Sequence, residues 1–112
     1  MDGQAFKKYE RLLKWSEFQN VLNCGRKKKV DSVFTLFWIN NGMMYRRIGI
    51  IASKKTGKAV MRNRIKRRIR EVFRRNKEKI RPALDIVLIG GKGMDELPFS
   101  LLENKIMEIL RA

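Results

Sequence analysis

An α+β fold is predicted, a single-domain α/β sandwich with elements in the order α-β-β-(β)-α-β-α, the bracketed strand being one further small strand that the pattern leaves open. Three observations lead there. A chain of 112 residues with 44% hydrophobic content closes one core but not two. Its apolar residues gather in β-branched and aromatic runs bounded by turn residues. Between and after those runs, apolar residues recur at helical spacing.

The elements follow in chain order. Residues 1–10 are expected to be a flexible N-terminal segment of the single domain 1–112. From Trp15 a short helix is expected, with Ser16 as its cap and Gln19 reaching back to it. Phe18, Val21 and Leu22 then share one side, and the helix stops between Asn23 and Gly25. A basic loop, Arg26-Lys27-Lys28-Lys29, comes next. Val33–Ile39 is β-branched and aromatic and runs into Asn40-Asn41-Gly42, the composition of a strand meeting a turn. Alternation puts Val33, Thr35, Phe37 and Ile39 on one strand face and Phe34, Leu36 and Trp38 on the other. Arg46–Ser53 reads as the antiparallel partner of that strand.

A long helix is expected from about Ala59 to Lys79. The strand Leu84–Ile89 follows between Pro82 and Gly90-Gly91, central because it is nearly all apolar. The strand-helix-strand order makes its two strands parallel. A last helix spans about Pro98 to Arg111, with Leu102, Ile106, Ile109 and Leu110 at helical spacing.

The charge narrows the function. Lys and Arg number 27 against 11 Asp and Glu, a formal net charge of +16. A field of that size calls for a polyanionic partner. No apolar run approaches the roughly 20 residues of a membrane-spanning helix, and the N-terminus lacks the apolar core of a secretion signal, so a cytoplasmic protein is expected. One cysteine, Cys24, and no histidine exclude an internal disulfide, the familiar zinc sets and the Ser-His-Asp relay. The acids are scattered along the chain, which argues against a two-metal nuclease centre. The expected role is binding, with no catalytic residues in this chain.

The charge is concentrated. Lys54–Arg81 holds fourteen Lys or Arg and two acids, Glu71 and Glu78. At about 100° per residue, Met61, Ile65, Ile69, Val72 and Phe73 form one stripe, and Asn63, Lys66, Arg67, Arg70 and Arg74 gather opposite. Arg64, Arg68, Glu71 and Arg75 lie on a flank, where Glu71 can pair with Arg67 or Arg75 across one turn. Repulsion among five or six such like-charge pairs costs roughly 1 to 3 kcal/mol unless an anion collects it. A solvated basic face is the plain alternative, but such faces mix signs, and the bias to Arg favours forked phosphate contacts. Before this helix, Ser53-Lys54-Lys55-Thr56-Gly57-Lys58 leads to a helix N-terminus, where backbone N–H groups favour an anion. It lacks the spacing of a nucleotide phosphate loop.

The run Ser53–Glu71, with Ala59, Arg62-Asn63-Arg64, Ile65, Lys66-Arg67, Ile69 and Arg70 in order, closely resembles the signature of the protein subunit of bacterial ribonuclease P. Glu10–Lys14 with Glu17-Phe18-Gln19, the strand pair, Asp85-Ile86-Val87 and the closing helix extend the resemblance over nearly the whole chain. It implies a left-handed β-α-β crossover, against the usual right-handed rule. It also implies that an RNA subunit performs the Mg²⁺-dependent removal of the 5′ leader from precursor tRNA, with Mg²⁺ mainly RNA-bound, while the protein assists and needs no obligate protein partner.

Carried over by position, Arg62, Asn63, Arg64, Lys66, Arg67 and Arg70 are expected to contact the catalytic RNA, with Arg62 set apart because it falls beside the apolar stripe. Phe18 and Phe37 are expected to line the leader cleft, and Lys54 and Lys55 to hold the leader backbone. Leu22 departs from the aromatic often found at that position in the family. Trp15 and Trp38 are expected to pack, and Cys24 to sit unreactive near the end of the first helix. A ribosomal or other structural RNA-binding protein shares the charge and fold type and is the main alternative. A DNA-binding helix-turn-helix fits poorly, because strands flank the basic helix.

Overall fold

The computed structural model describes residues 10–52, 58–91 and 93–111. Its elements are α1 (Trp15–Cys24), β1 (Arg26–Val30), β2 (Phe34–Asn40), β3 (Arg47–Ile51), α2 (Ala59–Asn76), a 3₁₀ turn over Lys77–Lys79, β4 (Leu84–Gly90) and α3 (Phe99–Leu110). The four strands form one sheet in the order β1-β2-β4-β3.

Two expectations are corrected here. The basic run Arg26–Lys29 is not a loop but most of strand β1, paired antiparallel with β2 from Arg26 opposite Trp38 to Val30 opposite Phe34. An edge strand needs its backbone satisfied on one side only, so four exposed cations are tolerated there and shield the open edge from pairing with other chains. Asp31, in the left-handed region at φ 48°, turns the chain between β1 and β2. The second correction concerns β3, which does not pair with β2. It runs parallel to β4, from Arg47 opposite Asp85 to Ile51 opposite Ile89. Antiparallel to β2 lies β4 itself. Nearly every residue of β4 is buried, so it takes the interior with a strand on each side, and this displaces β3 to the far edge.

The helix α1 also begins differently from the reading that made Ser16 its cap. Lys14 occupies the cap position, and Glu17 rather than Gln19 reaches back: its Oε1 accepts from the backbone N–H of Leu13 at 2.8 Å and of Lys14 at 2.9 Å. A carboxylate outcompetes an amide there, because the helix N-terminus carries partial positive charge.

The sheet separates two apolar layers. The larger holds Phe34, Leu36, Ile86 and Leu88 of the strands against Ile65, Ile69, Val72 and Phe73 of α2 and Leu102, Ile106 and Leu110 of α3. The smaller, on the opposite face, joins Leu12, Val21 and Val87, with Phe18, Leu22, Phe37 and Ile39 packed against them. The alternation from Phe34 to Ile39 therefore falls as expected, but Val33, expected on the face of Phe37 and Ile39, precedes β2 and packs with the larger layer instead. The stripe on α2 also falls as expected, where Ile65, Ile69, Val72 and Phe73 are buried and Met61 is half-buried.

Candidate nucleic-acid interface

The face of α2 turned from the core carries the expected cations. Asn63, Arg64, Arg67 and Arg70 are exposed, and Arg62 and Lys66 half-buried. Asn63, Lys66, Arg67 and Arg70, with Glu71 and Arg74, line an open groove of about 340 Å³. Its one acid, Glu71, is held by Arg74, whose Nε and Nη2 donate at 2.9 and 2.6 Å. The expected partners were Arg67 or Arg75, one turn away in either direction. The i, i+3 arginine wins because its fork meets both carboxylate oxygens. That bond draws Glu71 below the ordinary carboxylate range and lifts Arg74. With Glu71 so engaged, Lys66, Arg67 and Arg70 take part in none of the ion pairs among the described residues.

A second groove of about 250 Å³ adjoins the first. Lys66 and Arg70 line both, joined here by Arg11, Phe18, Gly49 and Ile50. Partial burial, and then the nearby charge of Arg11, push the Arg70 guanidinium below its ordinary range. Cations held together at a partly desolvated position gain from an anion bound between them.

Phe18 forms the apolar wall of this groove by setting one edge of its ring against β3 where Gly49 has no side chain. A Cβ at Gly49 would stand 2.5 Å from Phe18 Cζ and 3.1 Å from Cδ2. Phe37 belongs to the same apolar layer but does not line the groove. It sits opposite Val87, which sits opposite Gly49, so Phe37 and Gly49 belong to one row across the sheet, completed by Lys27 of β1. Lys27 Nζ stands 5.7 Å from the centre of the Phe37 ring. Trp15 departs from the packing role expected of it. It is 60% exposed and stacks on Phe18, with ring centres 6.0 Å apart and planes 23° from parallel. Trp38 does pack against the core. Cys24 closes α1 and is exposed.

Sequence reasoning missed the clamp that orients α1. Arg47 of β3 donates from Nε and Nη2 to the two oxygens of Asp85 at 2.8 and 2.6 Å, and from Nη1 to Glu17 at 2.8 Å. Asn41 Nδ2 adds a bond to Asp85 at 2.9 Å. The Asp85 hydrogen bond raises Arg47 above its usual range, and the backbone N–H groups of Lys14 and Leu13 hold Glu17 low. The same carboxylate thus caps α1 and ties it to β3, setting Phe18 over Gly49. The available signal was Asp85, a lone charge in an apolar strand, which demands a buried partner.

The remaining expected site residues divide. Lys54 and Lys55, with most of the corner before α2, lie outside the described residues. Arg62 has a buried Nε with no hydrogen-bond partner among the described residues. Arg68, on the flank, is engaged elsewhere, donating to the carbonyls of Met94 and Leu97. Among the described residues no three His, Cys, Asp or Glu side chains come together into a group that could hold a metal ion. No helix among them is long and apolar enough to cross a membrane.

Residues 6–112 match the family model described as Ribonuclease P. The ribonuclease P protein component of Petrotoga mobilis is 38% identical over 115 residues, covering 99% of this chain and 97% of that protein. The solved ribonuclease P protein of Thermotoga maritima superposes with a TM-score of 0.80 at 36% identity, over 90% of this chain and 94% of that one. That of Staphylococcus aureus gives 0.78 at 33% identity, over 89% and 91%.

Proposed function

The chain belongs to the ribonuclease P protein family and works as the protein subunit of that ribonucleoprotein in tRNA processing, and on this premise we propose how its two grooves are used. The catalytic RNA lies along the outer face of α2, where Arg62, Asn63, Arg64, Lys66, Arg67 and Arg70 meet its phosphates. The single-stranded 5′ leader of precursor tRNA enters the groove floored by Phe18 and Gly49, and Phe37 with Lys54 and Lys55 extends its contacts. Cleavage belongs to the RNA, and the Mg²⁺ it uses is mainly RNA-bound. The working compartment is the cytoplasm.

The observation that carries this reading is that Lys66 and Arg70 line both grooves. A backbone held on α2 and a strand lying on Phe18 thereby share one cationic rim, so the protein touches ribozyme and substrate side by side. Phosphate contacts position both without reading sequence. Stacking on an aromatic ring is worth about 1 to 3 kcal/mol per base and accepts any base, as leaders of varied sequence require. A ribosomal role is not favoured, since the family and the relatives all point to ribonuclease P.

Reconstitution tests this. The chain alone is expected to leave precursor tRNA intact, and to restore cleavage at physiological Mg²⁺ when mixed with a bacterial ribonuclease P RNA. No stimulation would defeat the proposal.

A further inference from the structure

We infer that Trp15 is a second stacking platform for single-stranded RNA, lengthening by one base the tract that Phe18 begins; the inference rests on the leader reading above. Trp15 is the only exposed aromatic side chain among the described residues. Buried aromatics dominate protein cores because they remove so much apolar surface from water. A 60% exposed indole forgoes that gain. Its place in the fold is not accidental fraying, for Trp15 is the first residue of α1, in the turn that Glu17 caps and Arg47 clamps.

One side of the indole stacks on Phe18, and the Cδ2–Cε2–Cζ edge of the Phe18 ring meets β3 at Gly49. The two rings form a short column at the groove that Phe18 lines together with Lys66, Arg70 and Arg11. Leu13, 62% exposed, lines the same groove. With a centre-to-centre distance of 6.0 Å the two rings leave no slot for a base between them. A base therefore adds to the column on the open side of Trp15. Aromatic faces beside a cationic groove suit a ligand that alternates flat bases with phosphates, which is the chemistry of single-stranded nucleic acid. A lipid surface would use the same Trp and Leu, but it calls for a broad apolar face, whereas this patch is narrow and rimmed by charge.

The test uses the chain assembled with a bacterial ribonuclease P RNA. In Trp38→Phe, Trp15 is the sole tryptophan, so its emission reports on the indole directly. The expected result is quenching by leader-bearing precursor tRNA and none by mature tRNA. Trp15→Ala is expected to weaken precursor binding about 5-fold or more, as the loss of one stacked base implies, only for leaders long enough to reach the column. Trp15→Phe retains most of the affinity. Unquenched emission, or full affinity of Trp15→Ala at every leader length while Phe18→Ala is weakened, overturns the inference and leaves the leader groove standing. Full affinity of both variants overturns both. Emission that responds to anionic vesicles and not to RNA assigns the patch to lipid and overturns the inference as well.

Discussion

Gly49→Ala probes the seat of Phe18 with a single methyl group. The added Cβ would lie 2.5 Å from Phe18 Cζ and 3.1 Å from Cδ2, where ordinary contact begins near 3.4 Å. The ring must therefore retreat by about 1 Å, a forced repacking of the kind that costs roughly 1 to 3 kcal/mol. For a domain of this size that is a fall in Tm of roughly 5 to 15 °C. Backbone strain adds nothing, since Gly49 is not among the glycines with positive φ. Intrinsically, Ala in place of Gly within a strand gains about 0.5 to 1 kcal/mol. The signs therefore separate in a double-mutant cycle. In a Phe18→Ala background, Gly49→Ala is expected to be neutral or slightly stabilising, leaving a coupling energy of about 1 to 3 kcal/mol between the two positions. Urea unfolding of the four proteins measures it. Equal cost in both backgrounds would refute the contact and, with it, the seating of the groove wall. In the assembled ribonucleoprotein, Gly49→Ala should also weaken leader-bearing substrate more than mature tRNA.

Other consequences follow from the clamp and the groove. Asp85→Asn leaves the partly buried Arg47 without its main counter-charge and is expected to destabilise the chain by about 3 kcal/mol, as broken buried pairs do; a change under 0.5 kcal/mol in urea unfolding would show the clamp to be idle. Glu17→Gln should cost about 1 kcal/mol at pH 7, within the range of lost helix caps. Because Glu17 is held below its ordinary value of 4.5 when folded, its contribution is complete above that pH and is lost as pH falls through the lower folded value. The gap between wild type and Glu17→Gln should therefore close on acidification below pH 4.5, and a constant gap would contradict the sign. Phe18→Ala in the holoenzyme should reduce affinity for leader-bearing substrate while sparing mature tRNA, and equal losses would remove Phe18 from the leader groove.

Much of this architecture was legible because it repeats along the chain. The stripe Ile65, Ile69, Val72, Phe73 and its cationic opposite face are a matter of helical angle, and the interior place of β4 follows from its apolar run. What escaped was set by partners distant in sequence. Arg26–Lys29 is written in charges because an edge strand is held by its backbone bonds to β2, not by its side chains. The pairing of β3 was misread because Asn40-Asn41-Gly42 has hairpin composition, whereas β3 pairs along the edge of β4 that β2 leaves open. On the candidate interface, the cations of α2 could be placed on a face. Their meeting with Phe18, 48 positions earlier than Lys66, depends on the Arg47 clamp and on the missing side chain of Gly49. Trp15 was misjudged for a related reason: aromatic composition alone does not distinguish a ring that packs from one that stands on another ring in solvent.

In the proposed function the cations of α2 act as phosphate contacts rather than as a solvated surface. The most direct measurement is the salt dependence of affinity for a bacterial ribonuclease P RNA, compared between wild type and the Lys66→Ala, Arg67→Ala, Arg70→Ala triple variant. Each lost phosphate contact should reduce the log-log slope by about 0.7 to 0.9, so the triple variant should bind more weakly with a slope flatter by roughly 2 to 3. Weaker binding at an unchanged slope, or no change in either, would contradict it.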